Sequence, residues 1–120
     1  LPDDLEVLKE AMVNMSDKGK VDLILTTGGT GLSPRDNTPE ATLAVIDREV
    51  PGLPEAMRQE SLKKTNRAML SRAVAGVRNR TLIINLPGSV KGVQECLEVI
   101  LPALPHGLDI LTGRGGECGS

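Results

Sequence analysis

The sequence predicts an α/β domain, and three observations carry that prediction. Two apolar runs, residues 21–26 and 81–86, each lead into a glycine-containing loop. Each loop is followed by a segment whose apolar residues recur at helical spacing. A third run, residues 69–77, is separated from the 81–86 run only by Arg78-Asn79-Arg80, the spacing of an antiparallel hairpin. The resulting order is helix, strand, helix, helix, hairpin, helix. It puts both glycine loops at the carboxyl ends of strands, where open α/β sheets bind ligands.

The chain's 120 residues suit a single domain. It contains no Phe, Tyr or Trp, so the core must be built from Leu, Ile, Val, Met and Ala. Stacking of bases on rings is therefore excluded, and a net charge of −2 supplies no basic field. We expect no nucleic-acid partner. No apolar run approaches the roughly 20 residues of a membrane span, and the opening residues do not read as a charged-then-apolar signal peptide, so none is expected. Cys96 and Cys118 read as free thiols of a reducing compartment, which predicts a cytoplasmic location. Residue 1 is Leu rather than Met, as in a processed chain, a trimmed chain or a segment of a longer one.

Taken in order, Asp3 is placed to cap the first helix, with Glu6 three residues on as in a capping box. Leu5, Leu8, Met12 and Met15 form its apolar stripe, and Lys18-Gly19-Lys20 ends it. Strand 21–26 follows, then Gly28, Gly29 and Gly31. A polar loop closes at Thr38-Pro39-Glu40, which reads as N-cap, first helical residue and first-turn acid. That helix is expected over 39–50, with Leu43, Ile46 and Val50 inward. Pro54 starts the next, with Met57 and Leu62 inward, and Thr65-Asn66-Arg67 breaks it. Strand 81–86 is apolar nearly throughout, which predicts burial on both faces. After Pro87-Gly88-Ser89 a helix carries Val93, Leu97, Ile100 and Leu104, interrupted by Pro102 and Pro105. The domain is expected to span 1–112, with a flexible glycine-rich tail over 113–120.

From residue types alone, several readings stay open. The 28–31 loop is either a tight turn or a cradle whose N–H groups and helix N-terminus hold phosphate oxygens. Asp36 is either an Asx-type loop residue or a partner of Arg35, or else a metal ligand. Ser71 has no base at triad spacing, so it reads as a hydrogen-bonding hydroxyl and not a nucleophile. His106 reads as a structural histidine, Cys96 as core, Lys91 as a surface lysine or a phosphate contact. The Lys63-Lys64 and Arg78/Arg80 pairs read as solvated surface.

TTGGTG, then PRDNTPEAT, PG, AMLSR, LIINLPGS and ECLEVILPALPH occur in that order between residues 26 and 106, within a match that runs from Leu1 to about Leu111. The set resembles the molybdopterin adenylyltransferase family, which includes the gephyrin-type G domains. The resemblance implies a three-layer αβα domain with a mostly parallel sheet and one antiparallel hairpin, assembling as a homotrimer. It implies adenylyl transfer from Mg-ATP to molybdopterin, with Mg²⁺ as cofactor and a fused or separate molybdate-insertion domain as a partner. It implies magnesium and nucleotide handling by Asp36 and a second functional carboxylate at Asp3. It implies substrate contacts at Gly28, Gly29, Thr30 and Gly31, at Ser71, and at Asn85, Pro87 and Gly88. A trimerising scaffold, or a pterin-binding module without transfer activity, is the alternative the same resemblance offers. Asn37 stands where the family usually has Val. Family members also carry a strand with a Ser-Asp motif, a helix and another strand before the Pro-Asp motif at which this chain begins. The chain is thus expected to be an N-terminally shortened member.

Overall fold

A computed structural model describes residues 4–19 and 21–113. In chain order these form α1 (Leu5–Asp17), β1 (Leu23–Thr27), α2 (Thr38–Val45), β2 (Arg48–Glu49) and α3 (Gly52–Leu62). A 3-10 turn, Asn66–Leu70, leads to β3 (Ala75–Arg78) and β4 (Thr81–Leu86). Then come α4 (Val90–Ile100), a second 3-10 turn (Leu101–Ala103) and α5 (Leu104–Thr112).

The four strands lie in the order β1-β4-β3-β2. β1 is parallel to β4, with Leu23 opposite Leu82 and Thr27 opposite Leu86. β3 is antiparallel to both β4 and β2, so three strands run one way and β3 runs against them. β4 is the spine, and all six of its residues are buried, as its unbroken apolar run predicts. Its pleat divides the core. Leu82, Ile84 and Leu86 pack with Met57 of α3, Cys96 and Ile100 of α4, and Leu104 of α5. Ile83 packs on the other face with Leu8 and Met12 of α1, Ala41 and Val45 of α2, and Ile24 of β1. Each such aliphatic side chain contributes about 1.5–3 kcal/mol by leaving water. Helices on both faces of one sheet give the three layers that the resemblance implies.

The sheet has a turn end and a loop end. At the turn end Asp17, last residue of α1, accepts from Arg78 Nη2 at 3.0 Å and Asn79 Nδ2 at 2.9 Å. α1 therefore begins at the loop end, where Leu8 lies in one groove with Gly28 and Thr38. Among the described residues no helix is long and apolar enough to cross a membrane.

Several local expectations are corrected. The cap of α1 is Asp4, whose Oδ1 accepts from the N–H groups of Glu6 and Val7; Asp3 lies outside the described residues. α2 follows Asn37 as cap and stops at Val45, because the chain then turns to place β2 beside β3. Its buried residues are Thr38, Pro39, Ala41, Thr42 and Val45, whereas Leu43 is exposed. α3 starts at Gly52, and Leu62 is exposed. The expected strand 69–77 is three things: the end of a 3-10 turn, an extended lead-in, and the short β3. The hairpin turn is Asn79-Arg80, since Arg78 already pairs with Thr81. Arg78 is not solvated surface, for its Nη1 also donates to Val45 O at 2.7 Å. His106 is exposed on α5. Gly113 caps α5, and the rest of the expected tail, with Cys118, lies outside the described residues.

Candidate functional site

At the loop end of the sheet the two glycine loops brace one another. Gly28 N–H donates to Leu86 O at 3.0 Å, carrying the β1–β4 pairing into the loops. Gly28 and Gly29 have φ of +82° and +70°, the left-handed region that glycine enters without penalty. Close approach matters as much. A Cβ built at Gly29 would run into the Thr38 side chain, and Thr38 N–H donates to Gly29 O at 3.2 Å. Gly31 sits against Asp36, whose Oδ2 accepts from Ser33 N–H at 2.9 Å.

Beside these loops a cleft of about 430 Å³ opens between α3, the first 3-10 turn, and the β4–α4 loop. It gathers Thr30, Ser71, Asn85, Pro87 and Gly88 of the residues singled out in the sequence. Gly28, Gly29, Gly31 and Asp36 do not line it. They form the neighbouring loop, which meets the cleft at Thr30.

Asn85 is the hub beneath the cleft. It is fully buried, and its Oδ1 accepts from Val74 N–H at 3.1 Å. Its Nδ2 donates to the hydroxyls of Thr26 and Thr42, both at 3.0 Å. Thr42 in turn donates to Thr38 O at 2.9 Å. One side chain thus joins β1, β4, α2 and the lead-in to β3. A buried amide needs that satisfaction, because an unmet partner costs about 1–3 kcal/mol.

Ser71 lies on that lead-in, half-buried, its Oγ accepting from Ala73 N–H at 3.3 Å. From α3, Arg58 Nη1 donates to Ser71 O at 3.2 Å and Ala73 O at 3.0 Å. Arg72 reaches the other way. Its N–H donates to Thr30 O at 2.8 Å and its Nε to Gly31 O at 2.7 Å. Nη2 donates to Asp36 O, and Nη1 to Glu40 Oε2. The bond from Arg72 holds the Glu40 carboxyl below the usual carboxylate range and raises the guanidinium's own pKa. Neither Arg58 nor Arg72 stood out in the sequence. The only signal was position, since Arg72 follows Ser71 and an arginine's planar fork suits several carbonyls at once.

Among the described residues four cations line the cleft: Arg58, Lys64, Arg67 and Lys91. Arg58 is engaged with carbonyls, and Lys64 pairs with Glu95 at 3.0 Å, which raises its pKa. Arg67 and Lys91 form no ion pair among the described residues. Their charge is available to an anion. Cys96 also borders the cleft, but burial pushes its thiol up, so it stays protonated and weakly nucleophilic at neutral pH.

Among the described residues no three His, Cys, Asp or Glu side chains cluster as a metal cage. A magnesium ion does not need one. It is commonly held by one carboxylate with substrate phosphates and waters. Asp36 offers such a carboxylate, with Oδ2 on Ser33 N–H and Oδ1 in no hydrogen bond among the described residues.

The chain matches the family model described as "Probable molybdopterin binding domain" over residues 1–106. It is 47% identical to a molybdopterin adenylyltransferase of Helicobacter pylori, over 93% of this chain and 64% of that protein. It is 47% identical to gephyrin of Dictyostelium discoideum, over 95% of this chain and 16% of that protein. Among solved structures, the molybdopterin biosynthesis enzyme MoaB of Thermus thermophilus aligns with a TM-score of 0.87 at 59% identity, covering 93% of this chain and 70% of that one. The molybdopterin biosynthesis Mog protein of Mycobacterium ulcerans aligns with a TM-score of 0.85 at 46% identity, covering 88% and 69%. The chain spans 64% of the Helicobacter relative's length.

Proposed function

Because this chain belongs to the molybdopterin-binding domain family, we propose that it binds molybdopterin in the α3–α4 cleft and adenylylates it with Mg-ATP held at the Asp36 loop. One observation carries the reading: Arg67 and Lys91, without carboxylate partners among the described residues, face the same cleft as Ser71. That is a binding surface for a molecule with a hydrogen-bonding ring system and a phosphate. The adenylyltransferase relatives supply the reaction class.

In the transfer, an oxygen of the molybdopterin phosphate attacks the α-phosphorus of ATP. A new P–O bond forms there, the bond to the bridging oxygen breaks, and pyrophosphate leaves. The attacking phosphate monoester has a second pKa near 6, so at neutral pH it is already ionised. No general base is required, which accords with the exposed position of His106 away from the cleft lining. Magnesium, when bound with the nucleotide, offsets charge on the phosphates. Ser71 and the backbone of Thr30 and Gly88 orient the pterin side. Arg67 and Lys91 hold its phosphate, and the 28–31 loop positions the nucleotide phosphates. Most of the acceleration would come from this positioning and from fixed charge. Asp3, outside the described residues, belongs to the same reading as a second functional carboxylate.

Cytoplasmic location, homotrimeric assembly and a molybdate-insertion partner are part of this proposal. Exposed apolar side chains such as Leu32 and Met69 are surface that an assembly would cover. The test is release of pyrophosphate from Mg-ATP by this chain, with molybdopterin present and absent. Release that needs molybdopterin and is lost in Asp36→Asn supports transfer. Binding of both substrates without release favours the non-catalytic module.

A further inference from the structure

Arg72 follows Ser71 in the chain, yet its bonds go to the other half of the site. Backbone N–H to Thr30 O, Nε to Gly31 O, Nη2 to Asp36 O and Nη1 to Glu40 span the loop from its glycines to the first turn of α2. The loop's own bonds, Ser33 N–H to Asp36 Oδ2 and Asp36 N–H to Ser33 O, shape it locally. Arg72 ties that shaped loop to the segment carrying Ser71. An exposed Arg–Glu pair adds little stability by itself. Here its effect is geometric: Glu40 orients the guanidinium so that its other donors meet two carbonyls.

We propose that Arg72 is a positioning residue that straps the 31–36 loop to the Ser71 segment, and so sets the nucleotide half of the site without holding the pterin. This rests on the assignment of Asp36 to Mg-ATP. A lysine cannot replace the strap, because a single ammonium lacks the rigid fork that meets separate acceptors. The loop would then sample positions about an ångström away, a displacement able to cost on the order of 100-fold in rate.

The experiment compares the wild-type chain with Arg72→Lys and Glu40→Gln. It reads amide hydrogen exchange at Ser33 and Asp36, the Kd for Mg-ATP, the Kd for molybdopterin, and kcat. Arg72→Lys should speed exchange at both amides and weaken Mg-ATP binding about tenfold, with kcat down about 100-fold. Molybdopterin affinity should stay within about twofold. Glu40→Gln keeps an acceptor for Nη1 and should show the same pattern, several-fold weaker. Wild-type exchange and wild-type Mg-ATP affinity in Arg72→Lys would overturn the strap. Equal loss of both ligands would also overturn it, by making Arg72 a general support of the fold. A wild-type chain that binds no Mg-ATP overturns the nucleotide assignment instead; the exchange measurement then judges the strap alone, and unchanged exchange in Arg72→Lys rejects it too.

Discussion

A side chain at Gly29 would collide with Thr38, since an added Cβ would stand 2.2 Å from the Thr38 hydroxyl oxygen. Thr38 is buried and donates its N–H to Gly29 O, so even with its hydroxyl turned aside its Cβ would stay 3.2 Å from the added carbon. Gly29 also has φ of +70°. Gly29→Ala combines a left-handed penalty with overpacking and should cost roughly 2–4 kcal/mol. Circular dichroism should show the thermal midpoint falling by on the order of 10 °C. An unchanged midpoint would mean that the loop relaxes freely and that the close approach does not define it.

Asn85 should be a stability residue as much as a site residue. Asn85→Ala leaves Val74 N–H without its acceptor and opens a void between β4 and α2. The expected loss is roughly 2–5 kcal/mol in urea unfolding. Far-UV dichroism must be the probe, because the chain has no tryptophan or tyrosine to report by fluorescence. A loss below about 1 kcal/mol would contradict the hub.

Arg67→Ala and Lys91→Ala should weaken binding of a phosphate-bearing pterin while leaving the thermal midpoint within about 2 °C, since neither side chain makes an ion pair among the described residues. The wild-type affinity should fall with added salt, and less steeply in each variant. Equal salt dependence in all three proteins would remove the two cations from the site.

Acid should loosen the molecule through two carboxylates. Arg78 holds Asp17 below the usual range by its hydrogen bond, and Arg72 does the same to Glu40. A carboxyl depressed on folding stabilises the native state above its unfolded pKa, and that contribution disappears as pH falls through the depressed folded value. The thermal midpoint should therefore hold from about pH 7 to 5 and decline below the ordinary carboxylate range. The double variant Asp17→Asn, Glu40→Gln should decline less steeply on acidification. A parallel decline would assign the acid sensitivity to other groups.

Where periodicity and burial agree, the sequence was a good guide. β4 is apolar without interruption because both its faces meet helices, β1 was legible as an apolar run ending in a glycine loop, and α1 by the helical spacing of Leu8 and Met12. The reading failed where tertiary contacts override local pattern. Ile46 and Val50 fit a continuing helix, but α2 stops at Val45 so that β2 can pair with β3. Met69 and Leu70 look like strand residues, but they lie exposed on a 3-10 turn. The glycine loops, Thr30, Ser71, Asn85, Pro87 and Gly88 were legible as motifs, and the fold brings the last five to one cleft. Arg58 and Arg72 were not, because their partners are backbone carbonyls on other elements, which a linear pattern does not display.

The central claim is that the α3–α4 cleft is where molybdopterin binds. Isothermal titration of molybdopterin into the wild-type chain, Ser71→Ala and Arg67→Ala tests it most directly, with protein concentration taken from amino-acid analysis. The account predicts one site per chain in the wild type and affinity reduced about tenfold in each variant, with the thermal midpoint unchanged in Arg67→Ala and lowered in Ser71→Ala, which loses its bond to Ala73 N–H, while both variants stay folded at the titration temperature. No binding by the folded wild-type chain, or wild-type affinity in both variants, would contradict it.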